Sequence, residues 1–143
     1  MNLRDQPVTQ LPGSDILYIN YNTLKTILNT TTYENISDYT LNLISTIVAS
    51  HPLFEIHMDL NGFTASSCAS QGDILKKFCN KIVGAGTQYT SKLKYMYIYN
   101  TPRIMNLVER IVAPYADSNH ADKYVYYNRN ESKPKLIDLF NKY

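Results

Sequence analysis

Asp59 is the residue that type and position best equip for chemistry. It closes an alternating stretch, Phe54-Glu-Ile-His-Met-Asp59, and opens the turn Leu60-Asn61-Gly62. A carboxylate there can attack a phosphoryl group, but that reaction needs a second carboxyl two residues on as general acid. Position 61 is asparagine, which has no proton to deliver. The stretch Tyr126-Tyr-Asn-Arg129 lacks the acidic pair that would hold Mg²⁺. His51, His57 and His120 are scattered without metal-ligand spacing, and Cys68 and Cys79 fit neither a metal knuckle nor a secreted disulfide framework. Gly84-Ala-Gly86 follows a helical pattern rather than a strand, so it does not read as a phosphate-cradling loop. The expectation is a protein with no catalytic residues, no metal and no cofactor.

The elements that would position these residues alternate along the chain. Strands are expected over residues 15–21, 54–59, 94–100 and 123–127, each rich in β-branched and aromatic types. Helices are expected from an Asn22 cap through Leu28, from Ser37 or Asp38 to His51-Pro52, from about Asp73 to Val83, from Thr101-Pro102 to about Tyr115, and from Ser132 and Pro134 onward. Strands alternating with helices predict an α/β fold, a mostly parallel sheet of about four to five strands with crossover helices. Residues 1–14, polar with two prolines, read as an N-terminal arm; residues 15–143 read as a single domain.

The 143 residues suit one domain, and the 44% hydrophobic and 18% charged composition excludes a disordered chain. No apolar run approaches the roughly 20 residues of a membrane span, and Met1 to Gly13 lacks the apolar stretch of a secretory signal. A cytoplasmic location is expected, peripheral to membranes if the basic residues meet lipid. Charge is uneven: residues 1–70 carry two basic and six acidic side chains, residues 71–143 twelve basic and six acidic. Lys76, Lys77 and Lys81 share one side of their helix and are the expected membrane-facing set. Tyrosines interleave with lysines over residues 92–99, a pattern known from nucleic-acid stacking, but core packing explains alternate tyrosines on a strand more simply. No nucleic acid is expected as a partner.

The segment Pro102–Tyr115 is apolar over an unusually broad face. Ile104, Met105, Leu107, Val108, Ile111, Val112 and Tyr115 span an arc of roughly 160°, wider than the ~100° stripe that packing on a sheet requires. Such an arc can pack on the sheet and also wall a second apolar space.

Five motifs in order then complete a pattern: Met58-Asp-Leu-Asn-Gly-Phe63, Tyr89-Thr-Ser-Lys-Leu93, Tyr97-Ile-Tyr-Asn-Thr-Pro102, Ala113-Pro-Tyr-Ala-Asp117 and Lys123-Tyr-Val. Together, over about residues 52–140, they resemble the CRAL-TRIO family. Departures from the family pattern are Thr90, where proline is usual, and Ala113, where lysine is frequent. The resemblance implies a hydrophobic pocket for one lipid, with residues 102–115 as its mobile gate. Ile104, Met105, Val108, Ile111 and Val112 would then line the pocket and Arg110 would meet a headgroup phosphate. Two functions follow from it. One is a non-enzymatic lipid-binding module for a hydrophobic ligand or phosphoinositide. The other is a pocketless protein-interaction or structural subunit, docking through the same apolar arc.

Overall fold

The computed structural model describes residues 2–84, 87–102 and 123–143. Among them, five strands form one sheet in the order β1 (Val8–Gln10), β2 (Ile16–Asn20), β3 (Phe54–Asp59), β4 (Leu93–Tyr99) and β5 (Tyr124–Tyr126). β1 runs antiparallel to β2, and the other neighbours are parallel. The helices among the described residues are α1 (Tyr21–Leu24), α2 (Tyr33–Ser50), α3 (Ala65–Val83) and α4 (Arg129–Lys142). The expected α/β class and mostly parallel sheet are those observed. β1 lies within the segment read as an arm: Pro7 O accepts from Asn20 N, and Leu11 N donates to Ile16 O.

The sheet separates two apolar layers. On one face Leu17, Ile19, Ile56, Met58, Met96 and Ile98 meet Ile44 and Ile47 of α2 and Leu75, Phe78 and Ile82 of α3. Parallel strands need crossovers, and α2 and α3 supply them for β2–β3 and β3–β4. On the second face Leu136 and Leu139 of α4 meet Tyr18, Tyr99, Ile16 and Leu11. Burial pushes the Cys79 thiol up to about 12, which makes it a packing group rather than a nucleophile.

Several helix boundaries differ from expectation, each for a local reason. α1 is capped by Asn20, whose side chain accepts from Thr23 N, rather than by Asn22. α2 starts four or five residues before the expected caps, and Ser37 and Thr40 lie inside it, buried. Their hydroxyls donate to the carbonyls of Tyr33 and Ile36, four residues back. α3 begins at Ala65, after the Thr64 cap and eight residues before Asp73, through a run of small residues without a hydrophobic stripe. α4 begins after Asn128, which forms a capping box with Glu131. Ser132 instead lies buried in the helix, accepting Asn100 N–H at 2.7 Å.

Candidate functional site

The carboxyl ends of β2, β3 and β4 converge on Asp59, which is 5% exposed. Its Oδ1 accepts Asn61 N–H at 2.9 Å and Asn100 Nδ2 at 2.7 Å, and Oδ2 lies 3.5 Å from the Tyr18 hydroxyl. Asn100 sits at φ +55°, in the left-handed region that asparagine tolerates better than most residues. This cluster ties three strand ends together, and Asp59 works there as an acceptor of backbone and amide hydrogens. Burial, then the Asp59 carboxylate, holds the Tyr18 hydroxyl well above the usual phenol range.

A cleft of about 470 Å³ opens beside this cluster, lined by Arg4, Asp59, Asn61, Asn100, Arg129 and Lys133, among others. Arg129 and Lys133 lie on the exposed first turns of α4. Arg4 arrives from the opposite end of the chain, with its guanidinium 5.5 Å from the Phe140 ring centre. Among the described residues, none of the three cations has a carboxylate within ion-pair distance. The single carboxylate in the lining, Asp59, already has its oxygens engaged. A larger hollow of about 790 Å³ adjoins it, sharing Arg129 and Asn130 and bordered by Phe63, Thr64, Thr101 and Pro102. Pro102 is the residue that leads into the broad apolar segment.

These features sit where ligands of parallel α/β sheets bind, outside the carboxyl ends of the strands. Residues 12–142 match the CRAL/TRIO domain. The chain belongs to the CRAL/TRIO family. Domains of this family are generally lipid-binding modules and generally not enzymes. Among solved structures, this CRAL/TRIO domain is similar to that described as "Crystal structure of Sfh5", with a TM-score of 0.63 at 14% identity. The likeness covers 84% of this chain and 46% of that one, so the domain spans less than half of that protein's length. No curated protein matches it.

Of the residues singled out from sequence, Ile104, Met105, Val108, Arg110, Ile111 and Val112 lie outside the described residues. Lys76, Lys77 and Lys81 are on α3; Lys77 is exposed, Lys76 and Lys81 are half-buried, and Lys77 and Lys81 lie beside Tyr33 of α2. Lys77 and Lys81 lie 5.9 and 5.2 Å from the Tyr33 ring centre, and Lys81 Nζ is 3.6 Å from Glu34. Sequence reading missed Arg4, Arg129 and Lys133, because nothing local marks residues from the two chain ends as neighbours. No described helix is long and apolar enough to cross a membrane, and no described cluster of His, Cys, Asp and Glu could hold a metal ion.

The second face of the sheet carries a further polar group. His57 is 6% exposed, with Nε2 2.9 Å from Glu55 Oε1 and Nδ1 2.7 Å from the Tyr99 hydroxyl. An ionised carboxylate can only accept, so Nε2 carries the proton of the first bond. That bond, more than any other influence, holds the Glu55 carboxyl below the usual carboxylate range. A depressed folded-state pKa contributes stability that is present above the unfolded value of about 4.3 and lost as pH falls through the lower folded value. Glu55→Gln therefore destabilises the domain at neutral pH, and the deficit against wild type shrinks in acid. Urea midpoints of both proteins across the acid range check this; a deficit that stays constant below pH ~4 would show that the charge contributes nothing.

Proposed function

We propose that this domain is a non-enzymatic lipid-binding module whose ligand joins an apolar tail to an anionic head. The observation that carries the reading is the cleft with Arg4, Arg129 and Lys133, three cations that have no carboxylate partner among the described residues, around polar amides at the strand ends. Arginine presents a planar fork of donors suited to phosphate, and lysine adds a point charge. The adjoining hollow is bordered by Phe63, Thr101 and Pro102, and Pro102 is followed in the sequence by the segment that carries Ile104, Met105, Val108, Ile111 and Val112. In this reading those five residues cover the tail, and Arg110 adds to the positive charge at the head. Burying an acyl chain contributes about 0.8 kcal/mol per methylene, so useful affinity needs no catalytic group. The domain would work at a membrane surface on the cytoplasmic side, where anionic lipid is exposed.

Native mass spectrometry of protein purified from a eukaryotic cytosol tests the reading. A co-purifying lipid is expected, and it is lost in Val108→Asp while the circular dichroism of the sheet is retained. Lipid retained at wild-type stoichiometry in that variant would refute the assignment of the segment.

One feature supports the second reading, a protein-interaction subunit. Pro7, Val8, Ile27, Ile36 and Tyr39 line a mainly apolar groove of about 320 Å³ beside strand β1, and Ile27 and Tyr39 are exposed. A hetero-complex without lipid in the same spectra would favour it.

A further inference from the structure

The sequence of α4 separates its charges around the helix axis. Arg129, Lys133 and Ile137 follow one another at intervals of four residues and fall within about 80° of one another. Glu131 and Asp138, the carboxylates of the helix, lie about 100° or more round from all three. The flank with the cations is the one that lines the cleft, since Arg129, Lys133 and Leu136 all border it. Ile137 continues this flank by one turn beyond Lys133. Three residues further on is the half-buried Phe140, with the Arg4 guanidinium over its ring. Ile137 is therefore an aliphatic side chain among three cations, and it is 45% exposed. Core packing does not account for it: Leu136 and Leu139 hold α4 on the sheet. Asp5, exposed next to Arg4, offsets one charge and leaves the patch net positive.

We propose that this flank of α4 rests on an anionic membrane, with Ile137 entering the interface and Arg4, Arg129 and Lys133 meeting lipid phosphates around it. Cations around a protruding aliphatic side chain match a bilayer, whose anionic headgroups overlie hydrocarbon. A nucleic acid would satisfy the charges and leave Ile137 in water. The inference rests on the lipid reading in one respect: the cleft has to open toward the bilayer that supplies its ligand, and Ile137 lies on the cleft's own side of α4. Membrane contact is thereby moved away from Lys76, Lys77 and Lys81, because α3 belongs to the layer on the other face of the sheet.

Co-sedimentation of the full chain with vesicles of mixed phosphatidylserine and phosphatidylcholine tests the proposal. Binding is expected, and Ile137→Ser weakens it about fivefold by removing a side chain that the interface half buries. Ile137→Trp, whose ring suits the headgroup level, binds at least as tightly as wild type. Both variants melt as wild type does, because the position is exposed. Calorimetry with a short-chain phosphatidylinositol phosphate, kept below its micelle concentration, reads the cleft separately, and Ile137→Ser binds it as wild type does. Soluble lipid that fails to bind wild type would refute the lipid reading of the cleft, while vesicle binding weakened in Ile137→Ser would still establish the surface. Vesicle binding that is absent, unchanged in Ile137→Ser, or equally strong on phosphatidylcholine alone overturns the proposal. Equal loss of vesicles and soluble lipid in Ile137→Ser would make Ile137 part of the cleft and overturns it too. Polyglutamate that binds as tightly as the vesicles, with the same loss in Ile137→Ser, would make the partner an acidic protein instead.

Discussion

Asp59→Ala lowers the free energy of unfolding by about 3 kcal/mol in urea denaturation, because it strands donors that meet at one buried carboxylate. Asn61 N–H and Asn100 Nδ2 lose their acceptor at 2.9 and 2.7 Å, and the buried Tyr18 hydroxyl loses the nearest carboxylate oxygen. Asn100 is held at φ +55° partly through that bond, so the β4 end loosens with it. Asp59→Asn keeps one oxygen for the two nitrogen donors and gives up the charge, so its cost is about half as large. A destabilisation below about 0.5 kcal/mol for Asp59→Ala would show that the strand ends are held by packing alone. The pair of variants also checks the catalytic alternative. A nucleophilic aspartate confers phosphatase turnover that vanishes in both, whereas a structural aspartate gives melting shifts and no turnover to lose.

What the sequence discloses depends on how local the cause is. β3 is legible to the residue, since Phe54, Ile56 and Met58 alternate with Glu55, His57 and Asp59 and a proline stands just ahead of them. β1 is hidden because Val8-Thr-Gln10 is too short to show a period; it exists through its antiparallel pairing with β2. The early turns of α3, from Ala65 to Gly72, give no stripe because small residues face both solvent and α1. Gln71 reveals the tertiary reason, accepting from the Tyr21 hydroxyl at 2.8 Å and donating to Lys25 O at 2.9 Å. The site divides in the same way. Asp59, Asn61 and Asn100 stand out as strand-end residues, but Arg4 joins Arg129 and Lys133 only when the antiparallel β1 brings the first residues back across the sheet. The lysines of α3 are grouped by helical periodicity alone, whereas the neighbours of two of them, Tyr33 and Glu34, come from α2 and are set by the packing of the two helices.

That contrast yields the sharpest prediction about lipid binding. In flotation with vesicles containing phosphatidylinositol phosphate, Arg129→Gln/Lys133→Gln weakens binding by about 30-fold, from about 1 kcal/mol per cation near an anionic surface. Both residues are exposed on α4 and carry no described salt bridge, so the variant melts as wild type does. Lys76→Gln/Lys77→Gln/Lys81→Gln removes one more charge but costs less. Two of its three lysines lie against Tyr33 and Glu34, where they are less available to lipid, and an exposed ion pair such as Lys81–Glu34 contributes little to stability. Net charge alone would order the variants the other way, with the triple substitution the weaker binder. Wild-type binding also falls as salt rises, because the contacts are charge-assisted and exposed. If the α3 triple variant loses as much affinity as the α4 pair, long-range attraction governs binding and the cleft is not where the headgroup sits; if the α4 pair loses none, the cations around Asn100 and Asp59 serve another ligand.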